Sequence, residues 1–378
     1  MLDDERLHRH LIGQAGSGRL LNTPALVVDR DALDRNIATM AGYAKRAGVS
    51  LRPHAKTHKS ADIARRQLAA GAAGICCAKL GEAEALAGEG IESILLTSPI
   101  VSSPAIARYV ALNARLRDLA VVVDHPDNVA AIANALGPDS TNVLIDVDAG
   151  MRRTGVASAD AAVSLLAAIQ RHPNLNYRGI QFYAGPQHIA SYLGRRDAIA
   201  KRTSYLETVV ALLANSGGKP RVITGAGTGT HRIDAELGVL TEWQVGSYVF
   251  MDTQYAQCQL QPDPGSPFEY ALFVDSRVIS ANVPGMGTLD AGFKALSTDG
   301  GLPILLAGAP EGAKFMFLGD EHGGVLDPTQ KHAWQIGDSV RLAVPHCDPT
   351  VNLYDAYHVV QGDTLVEIWP VTARGRSR

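Results

Sequence analysis

The chain has 378 residues, 46% hydrophobic and 19% charged, with 35 Lys plus Arg against 38 Asp plus Glu for a net charge of −3. That composition supports a sizeable core and excludes a disordered chain, and the near balance of charge argues against a general nucleic-acid binder. No apolar run approaches the roughly 18 residues of a membrane span, and the polar start MLDDERLHRHLIG has no apolar signal region, so a cytoplasmic protein is expected.

At about 150 residues per domain the length suits two or three domains, although one barrel can take about 250. The first strand candidate, PALVVD (24–29), leads into a helical pattern, DALDRNIATMAGYAKRAG. Eight further β-rich runs follow: LRPH (51–54), GICCA (74–78), SILLTSP (93–99), LAVVVDH (119–125), NVLIDVD (142–148), YRGIQFY (177–183), RVITGAG (221–227) and WQVGSYVF (243–250). Helical patterns such as ADIARRQLAAG and DAAVSLLAAIQRH separate them, the weakest being HRIDAELGVLTE between the last two runs. Eight βα repeats close naturally into a (β/α)8 barrel, with a doubly wound open sheet as the rival. The barrel is expected over 26–254. Residues 1–25 and 255–378 are expected to form a second domain, β-rich and mostly antiparallel, in which PALVVD can find a partner.

The four cysteines are Cys76, Cys77, Cys258 and Cys347. Adjacent residues of a strand point to opposite faces, so Cys76 and Cys77 make a poor disulfide pair; buried, reduced thiols are expected.

Barrel enzymes work at the C-terminal ends of their strands, and polar clusters stand at several of these ends. In RPHAKTHK (52–59), Lys56 lies between His54 and His58; a desolvated lysine there can form a Schiff base with an aldehyde, and a solvated loop lysine is the alternative. The run TGAGTGTH (224–231), with GSY (246–248) after the next strand, offers glycine backbone and threonine hydroxyls to a phosphate, or is a plain glycine-rich turn. DVDAGMRRTG (146–155) carries Arg152 and Arg153, either anion-binding or salt-bridged at the surface. QFYAGPQH (181–188) carries Tyr183, with a ring face and a hydroxyl, and His188, an acid or base near neutral pH. In PHCDPT (345–350), His346 and Asp348 at i and i+2 would share one face of an extended segment, as a divalent-metal site needs; Asp-Pro also signals a turn. Asp320, Glu321 and His322 are possible further ligands.

Taken in order, TPALVVDRDALDRNI, RPHAKTHK, GMRRTG, FYAGPQH, GAGTGTH, GSYVFMD and PHCDPTVNLYD resemble the metal-activated D-threonine aldolases, of the alanine-racemase-like (fold type III) pyridoxal-phosphate enzymes. The resemblance covers nearly the whole chain and implies an alanine-racemase-like barrel with a D-serine dehydratase-like β domain. It implies pyridoxal 5'-phosphate on Lys56, with Arg153 of the Gly-Met-x-Arg-x-Gly pattern at its phenolic oxygen. Tyr183, Thr224, Gly225, Gly227, Thr228, Gly229, Gly246, Ser247 and Tyr248 would complete the cofactor site. His346 and Asp348 match the metal pair, for Mn²⁺ first, with Mg²⁺, Co²⁺ or Zn²⁺ as alternatives, and His188 matches the base. His231 stands where an aromatic residue is expected.

The implied reaction is retro-aldol cleavage of a small-molecule D-β-hydroxy-α-amino acid, D-threonine giving glycine and acetaldehyde. A 3-hydroxyaspartate aldolase yielding glyoxylate and glycine, a D-serine or 3-hydroxyaspartate dehydratase, and a non-enzymatic pyridoxal-phosphate-binding protein are the other readings. Related D-serine dehydratases carry a His-x-Cys pair, whereas here Asp348 occupies the cysteine's register and favours the aldolase. The resemblance also implies a homodimer.

Overall fold

The computed structural model describes residues 3–378. A short helix α1 (Asp3–His8) precedes strand β1 (Ala25–Asp29) and the long helix α2 (Arg30–Ala47). Helix α2 starts where the Asp29 carboxylate accepts the Ala32 N–H at 3.0 Å, and ends at Gly48, left-handed at φ 67°. Leu33, Ile37, Met40 and Ala44 are buried, the helical spacing of one packed face.

The barrel strands are β2 (Ser50–Leu51), β3 (Ile75–Cys77), β4 (Ser93–Leu96), β5 (Asp118–Val123), β6 (Thr141–Asp146), β7 (Leu175–Phe182), β8 (Val222–Gly225) and β9 (Glu242–Trp243). Helices α3 (Ala61–Ala69), α4 (Leu80–Gly88), α5 (Ser103–Asn113), α6 (Pro126–Leu136), α7 (Ala159–Gln170), α8 (Tyr192–Asn215) and α9 (His231–Leu237) cover them. All the strand pairings are parallel, in the order β2-β9-β8-β7-β6-β5-β4-β3. The two ends of that row meet: Ala73 N–H donates to Leu51 O at 2.7 Å, Cys76 N–H to Pro53 O at 2.8 Å, and His54 bridges to Cys76. The sheet therefore closes as the eightfold repeat predicts, and the doubly wound alternative is set aside.

Strand alternation sorts the apolar side chains into two cores. Cys76, Leu95, Ala120, Val122 and Leu144 fill the barrel interior. Cys77, Leu96, Val121, Val123, Val143 and Ile145 face outward under the helices. Cys76 and Cys77 are thus on opposite faces, and all four cysteines are buried and unpaired.

The second sheet has nine strands: β1 with β10 (Leu272–Val283), β11 (Met286–Leu289), β12 (Ile304–Ala307), β13 (Lys314–Phe317), β14 (Gly323–Leu326), β15 (Ser339–Ala343), β16 (Ala356–Gln361) and β17 (Thr364–Pro370). Every pairing is antiparallel except β1 with β16. The short helices α10 (Thr253–Ala256) and α11 (Cys347–Val351) lie where this sheet meets the barrel. Among the described residues no helix is long and apolar enough to cross a membrane.

Two predicted strands are shorter as regular strands, which end at Leu51 and Trp243. Arg52 N–H and His54 N–H still donate to Trp243 O and Val245 O at 3.0 Å each, so the runs stay paired up to the 3-10 turns Ala55–Thr57 and Ser247–Val249. Both runs are drawn off the sheet at its C-terminal mouth.

At the opposite end Arg52 is buried. It donates to Glu242 at 3.1 Å and Ser93 Oγ at 2.9 Å, with Asp118 at 3.8 Å, so it ties together the starts of β4, β5 and β9. Removing the guanidinium strands the buried Glu242 carboxylate, whereas Asp118 keeps Arg178 at 2.8 Å. Arg52→Met is expected to cost about 3 kcal/mol or more in denaturant unfolding; a loss below about 1 kcal/mol would show that the network is not a structural tie.

Candidate active site

Lys56 sits in a 3-10 turn, Ala55–Thr57, at the barrel mouth, with the ring of His54 accepting its N–H at 3.4 Å. Its ammonium donates to the Asp348 carboxylate of the β domain. Asp348 Oδ2 lies 3.7 Å from His346 Nε2 and is buried with no hydrogen-bond partner. The i, i+2 pair therefore converges, but not on a strand as its spacing suggested. His346 is the extended N-cap residue (φ −147°) of α11, and Asp348 stands in that helix's first turn. Cys347 points away, buried, with its thiol against Met251 O at 3.4 Å.

A cavity of about 630 Å³ opens beside Lys56, lined among others by His54, Thr97, Asp124, Arg153, Gln181 and Tyr183. A narrower recess continues from Lys56 and Tyr183 to Ala226, Gly227, Thr228, Gly246, Ser247 and Tyr255. Arg153 lies over the Tyr183 ring at 5.2 Å. Its loop is held by Asp148, whose Oδ1 accepts the N–H groups of Gly150, Met151 and Arg152 at 2.9, 2.7 and 3.0 Å. Gly246 is needed for close approach, since a Cβ there would lie 2.8 Å from Thr57 Oγ1. Lys59, Arg152, Ala226 and Met251 adopt left-handed φ of 49, 54, 65 and 55°, so sparsely populated backbone clusters in the segments that build this mouth.

The structure thus gathers Lys56, Arg153, Tyr183, Gly227, Thr228, Gly246, Ser247, His346 and Asp348 at one mouth. His188 stands on the rim, exposed on one side and 4.5 Å from the Tyr255 ring on the other. Four residues expected at the cofactor do not line the cavity. Thr224 is buried within β8, and Gly225 and Gly229 pack on the carbonyls of Phe182 and Gln187. Tyr248 is turned away: its phenol accepts from Gln67 at 3.1 Å, and only its N–H serves the loop, bonding Thr228 Oγ1 at 2.8 Å. His231 is buried among Tyr43, Trp243 and Phe268, where it fills an aromatic position in the core. Asp320, Glu321 and His322 form the turn between β13 and β14, with Glu321 paired to Lys294.

Several polar residues of the mouth, Thr97, Asp124 and Gln244 among them, belong to none of the site motifs. Gln244 donates to Gln181 at 3.1 Å, and Gln181 donates to Asp146 at 2.9 Å and Thr97 O at 3.0 Å. Glutamine and threonine at inward-facing strand ends are the one signal the sequence holds for them.

Charge follows from this packing. Burial opposes the Lys56 ammonium, but Asp348 outweighs it and raises the pKa. Burial would likewise raise Asp348; Lys56 beside it holds it at about 2. Burial, then Lys56, lowers His54 to about 3. Burial of its inner face, then His346 and Lys56, lower His188, which is therefore neutral and able to accept a proton at neutral pH.

Other features lack this convergence. A cavity of about 620 Å³ in the β domain is lined in part by Asp275 and Arg341, already joined by two bonds of 2.7 Å. Asp4, His8 and His358 lie close together, but their ring nitrogens are committed. His8 Nε2 accepts the Asn22 N–H at 2.9 Å, so its Nδ1–H donates to His358 Nε2 at 2.8 Å, and His358 Nδ1–H donates to Leu26 O at 3.2 Å.

A lysine at the mouth of a parallel barrel, with a β domain laid over it, defines the alanine-racemase-like class of enzyme. Residues 28–254 match the alanine racemase N-terminal domain, and residues 271–360 match the putative serine dehydratase domain. The chain is 38% identical to a D-threonine aldolase of Arthrobacter sp, over 95% of this chain and 94% of that one. It is 35% identical to the 3-hydroxy-D-aspartate aldolase of Paracoccus denitrificans, over 94% and 93%. The crystal structure of D-threonine aldolase from Filomicrobium marinum superposes with a TM-score of 0.90 at 36% identity, covering 96% and 97%. A D-threo-3-hydroxyaspartate dehydratase of Delftia sp. is more distant at 28%, over 92% and 97%. The protein belongs to the alanine-racemase-like family, and within it to the group of the D-threonine and 3-hydroxy-D-aspartate aldolases, which are lyases.

Pyridoxal phosphate is the cofactor of this family, and the mouth fits it. Lys56 reaches the cavity, Arg153 and Tyr183 flank it, and a glycine- and hydroxyl-rich recess continues beyond. Behind that recess Thr230 Oγ1 accepts the Gly227 N–H at 3.1 Å and Thr230 O accepts the Asp234 N–H at 2.8 Å, and burial pushes the Asp234 carboxyl up to about 7. An unfolded chain loses this proton near pH 4, whereas the folded chain keeps it to about pH 7, so stability falls as pH rises between those values. Asp234→Asn is expected to match the wild type below about pH 4 and to exceed its unfolding free energy at pH 8; parallel stability–pH curves would refute a buried neutral acid.

Proposed function

We propose that the protein cleaves the Cα–Cβ bond of a D-β-hydroxy-α-amino acid, releasing glycine and an aldehyde, with pyridoxal phosphate on Lys56 and a divalent cation, Mn²⁺ first, at His346 and Asp348. The observation that carries this reading is the shared carboxylate. Asp348 touches the Lys56 amine and faces His346 Nε2 at 3.7 Å, so the metal pair lies within one side chain of the cofactor lysine. A histidine nitrogen and an unpartnered buried carboxylate oxygen suit a divalent cation.

When bound, the pyridoxal ring supplies an electron sink and the cation supplies Lewis acidity toward a hydroxyl. The remaining work falls to the chain. Lys56 anchors the cofactor at the mouth, and Arg153 and Tyr183 hold its ring side. Gly227, Thr228, Gly246 and Ser247 receive the phosphate. His346 and Asp348 direct the β-hydroxyl, and neutral His188 accepts its proton.

D-Threonine and D-3-hydroxyaspartate are the substrates to compare, since the group contains aldolases named for each. The four unpaired, buried cysteines suit a reducing, cytoplasmic setting. Phe293, Met316 and Leu318 expose apolar surface on the β domain, which suits a homodimer.

Incubation with either substrate should release glycine, fall on treatment with a chelator, and recover with Mn²⁺. Ammonia and a 2-oxo acid without glycine would instead identify a dehydratase. His188→Ala should keep the cofactor absorbance and lose at least about 100-fold in glycine release; undiminished turnover would remove His188 from the role of base.

A further inference from the structure

His346 has two ring nitrogens, and only one can face the cation. Nε2 faces Asp348 at 3.7 Å, while Nδ1 lies 2.7 Å from the Asp299 carboxylate. A carboxylate only accepts, so Nδ1 carries the hydrogen, which in the neutral ring leaves the Nε2 lone pair for a cation. Asp299 is 47 residues away in sequence and has no place in the motifs that mark this mouth.

The loop that carries Asp299 is built onto the His346 segment. Ser297 Oγ accepts the His346 N–H at 3.1 Å and donates to the His346 carbonyl at 3.1 Å. Ser297 N–H donates to Thr350 Oγ1 at 3.1 Å, and that hydroxyl donates to His346 O at 2.8 Å. Gly300 comes so near that a Cβ would sit 2.6 Å from Pro345 O. The backbone of the ligand and that of its carboxylate partner are therefore held in one register, which keeps Asp299 within reach of the His346 ring.

We infer that Asp299 is a positioning residue for the metal site: it holds His346 in the Nδ1–H tautomer and aims the Nε2 lone pair toward the unpartnered Asp348 Oδ2. This rests on the reading of His346 and Asp348 as metal ligands. Carboxylate partners of ligating histidines typically contribute about 10- to 100-fold in metal affinity. Asp299 is half-exposed, with 54% of its side chain accessible, which places the effect at the lower end, about tenfold.

The test is the Mn²⁺ dissociation constant of pyridoxal-phosphate-loaded protein, followed by the electron paramagnetic resonance of free Mn²⁺. Wild type, D299A, D299N and H346A are compared. D299A should bind Mn²⁺ about tenfold more weakly with its cofactor absorbance unchanged. D299N, whose amide oxygen still accepts from Nδ1–H, should recover most of that loss. Equal constants for D299A and wild type would overturn the inference, as would D299N no better than D299A, since charge rather than ring orientation would then be the cause. Wild type that takes up no Mn²⁺, or H346A that binds as wild type does, would remove the metal-site reading itself.

Discussion

The contact between Lys56 and Asp348 is the constraint on which the site depends, because it joins side chains of two separately built sheets. Each partner is fixed in its own domain. Lys56 stands in a 3-10 turn capped by His54, and Asp348 stands in the first turn of α11. Supporting bonds run alongside: Tyr357 OH donates to His58 O, and Ala373 N–H donates to Lys59 O at 2.9 Å. With the lysine half-exposed and the carboxylate buried, the pair gains little net stability, since desolvation of Asp348 offsets the attraction. Its main consequence is positional: it sets the cofactor lysine against the proposed cation pair.

The eight residues around Lys56 serve both ends of the barrel. Arg52 ties β4, β5 and β9 at the N-terminal end, and His54 bridges to Cys76 to close the sheet. Lys56 then faces the mouth, and Lys59, left-handed, reaches the buried Glu82 carboxylate at the start of α4. The turn of the chain directly after His54 follows from these demands. A regular strand would have carried Lys56 onward along the sheet instead of turning it over the opening.

Much of the fold was legible because it is written in local periodicity. Eight β-rich runs alternating with helical stretches predicted the closed barrel, and the change of pattern after about residue 255 predicted the antiparallel sheet. Lys56, Arg153, Tyr183, Gly227 and Ser247 were legible because they stand in short polar clusters where strands end. Tyr248 and Thr224 belong to the same clusters yet do not line the cavity. Their orientation is settled by Gln67 in one case and by the packing of β8 in the other, and motif membership carries neither. His231 stands where an aromatic residue is expected, and its ring packs among Tyr43, Trp243 and Phe268 as an aromatic one would.

The amino-acid sequence by itself determined which elements form, which faces are apolar, and which residue types gather at strand ends, since these depend on neighbours three or four positions away. Only the tertiary structure decided that α11 is a helical turn that still converges His346 with Asp348, and that Asp299 meets the far side of the same ring. It also decided that Lys56 and Asp348 touch across 292 positions. Those relations depend on how two sheets seat against each other, and that is set by the summed packing and hydrogen bonding of both domains rather than by spacing along the chain.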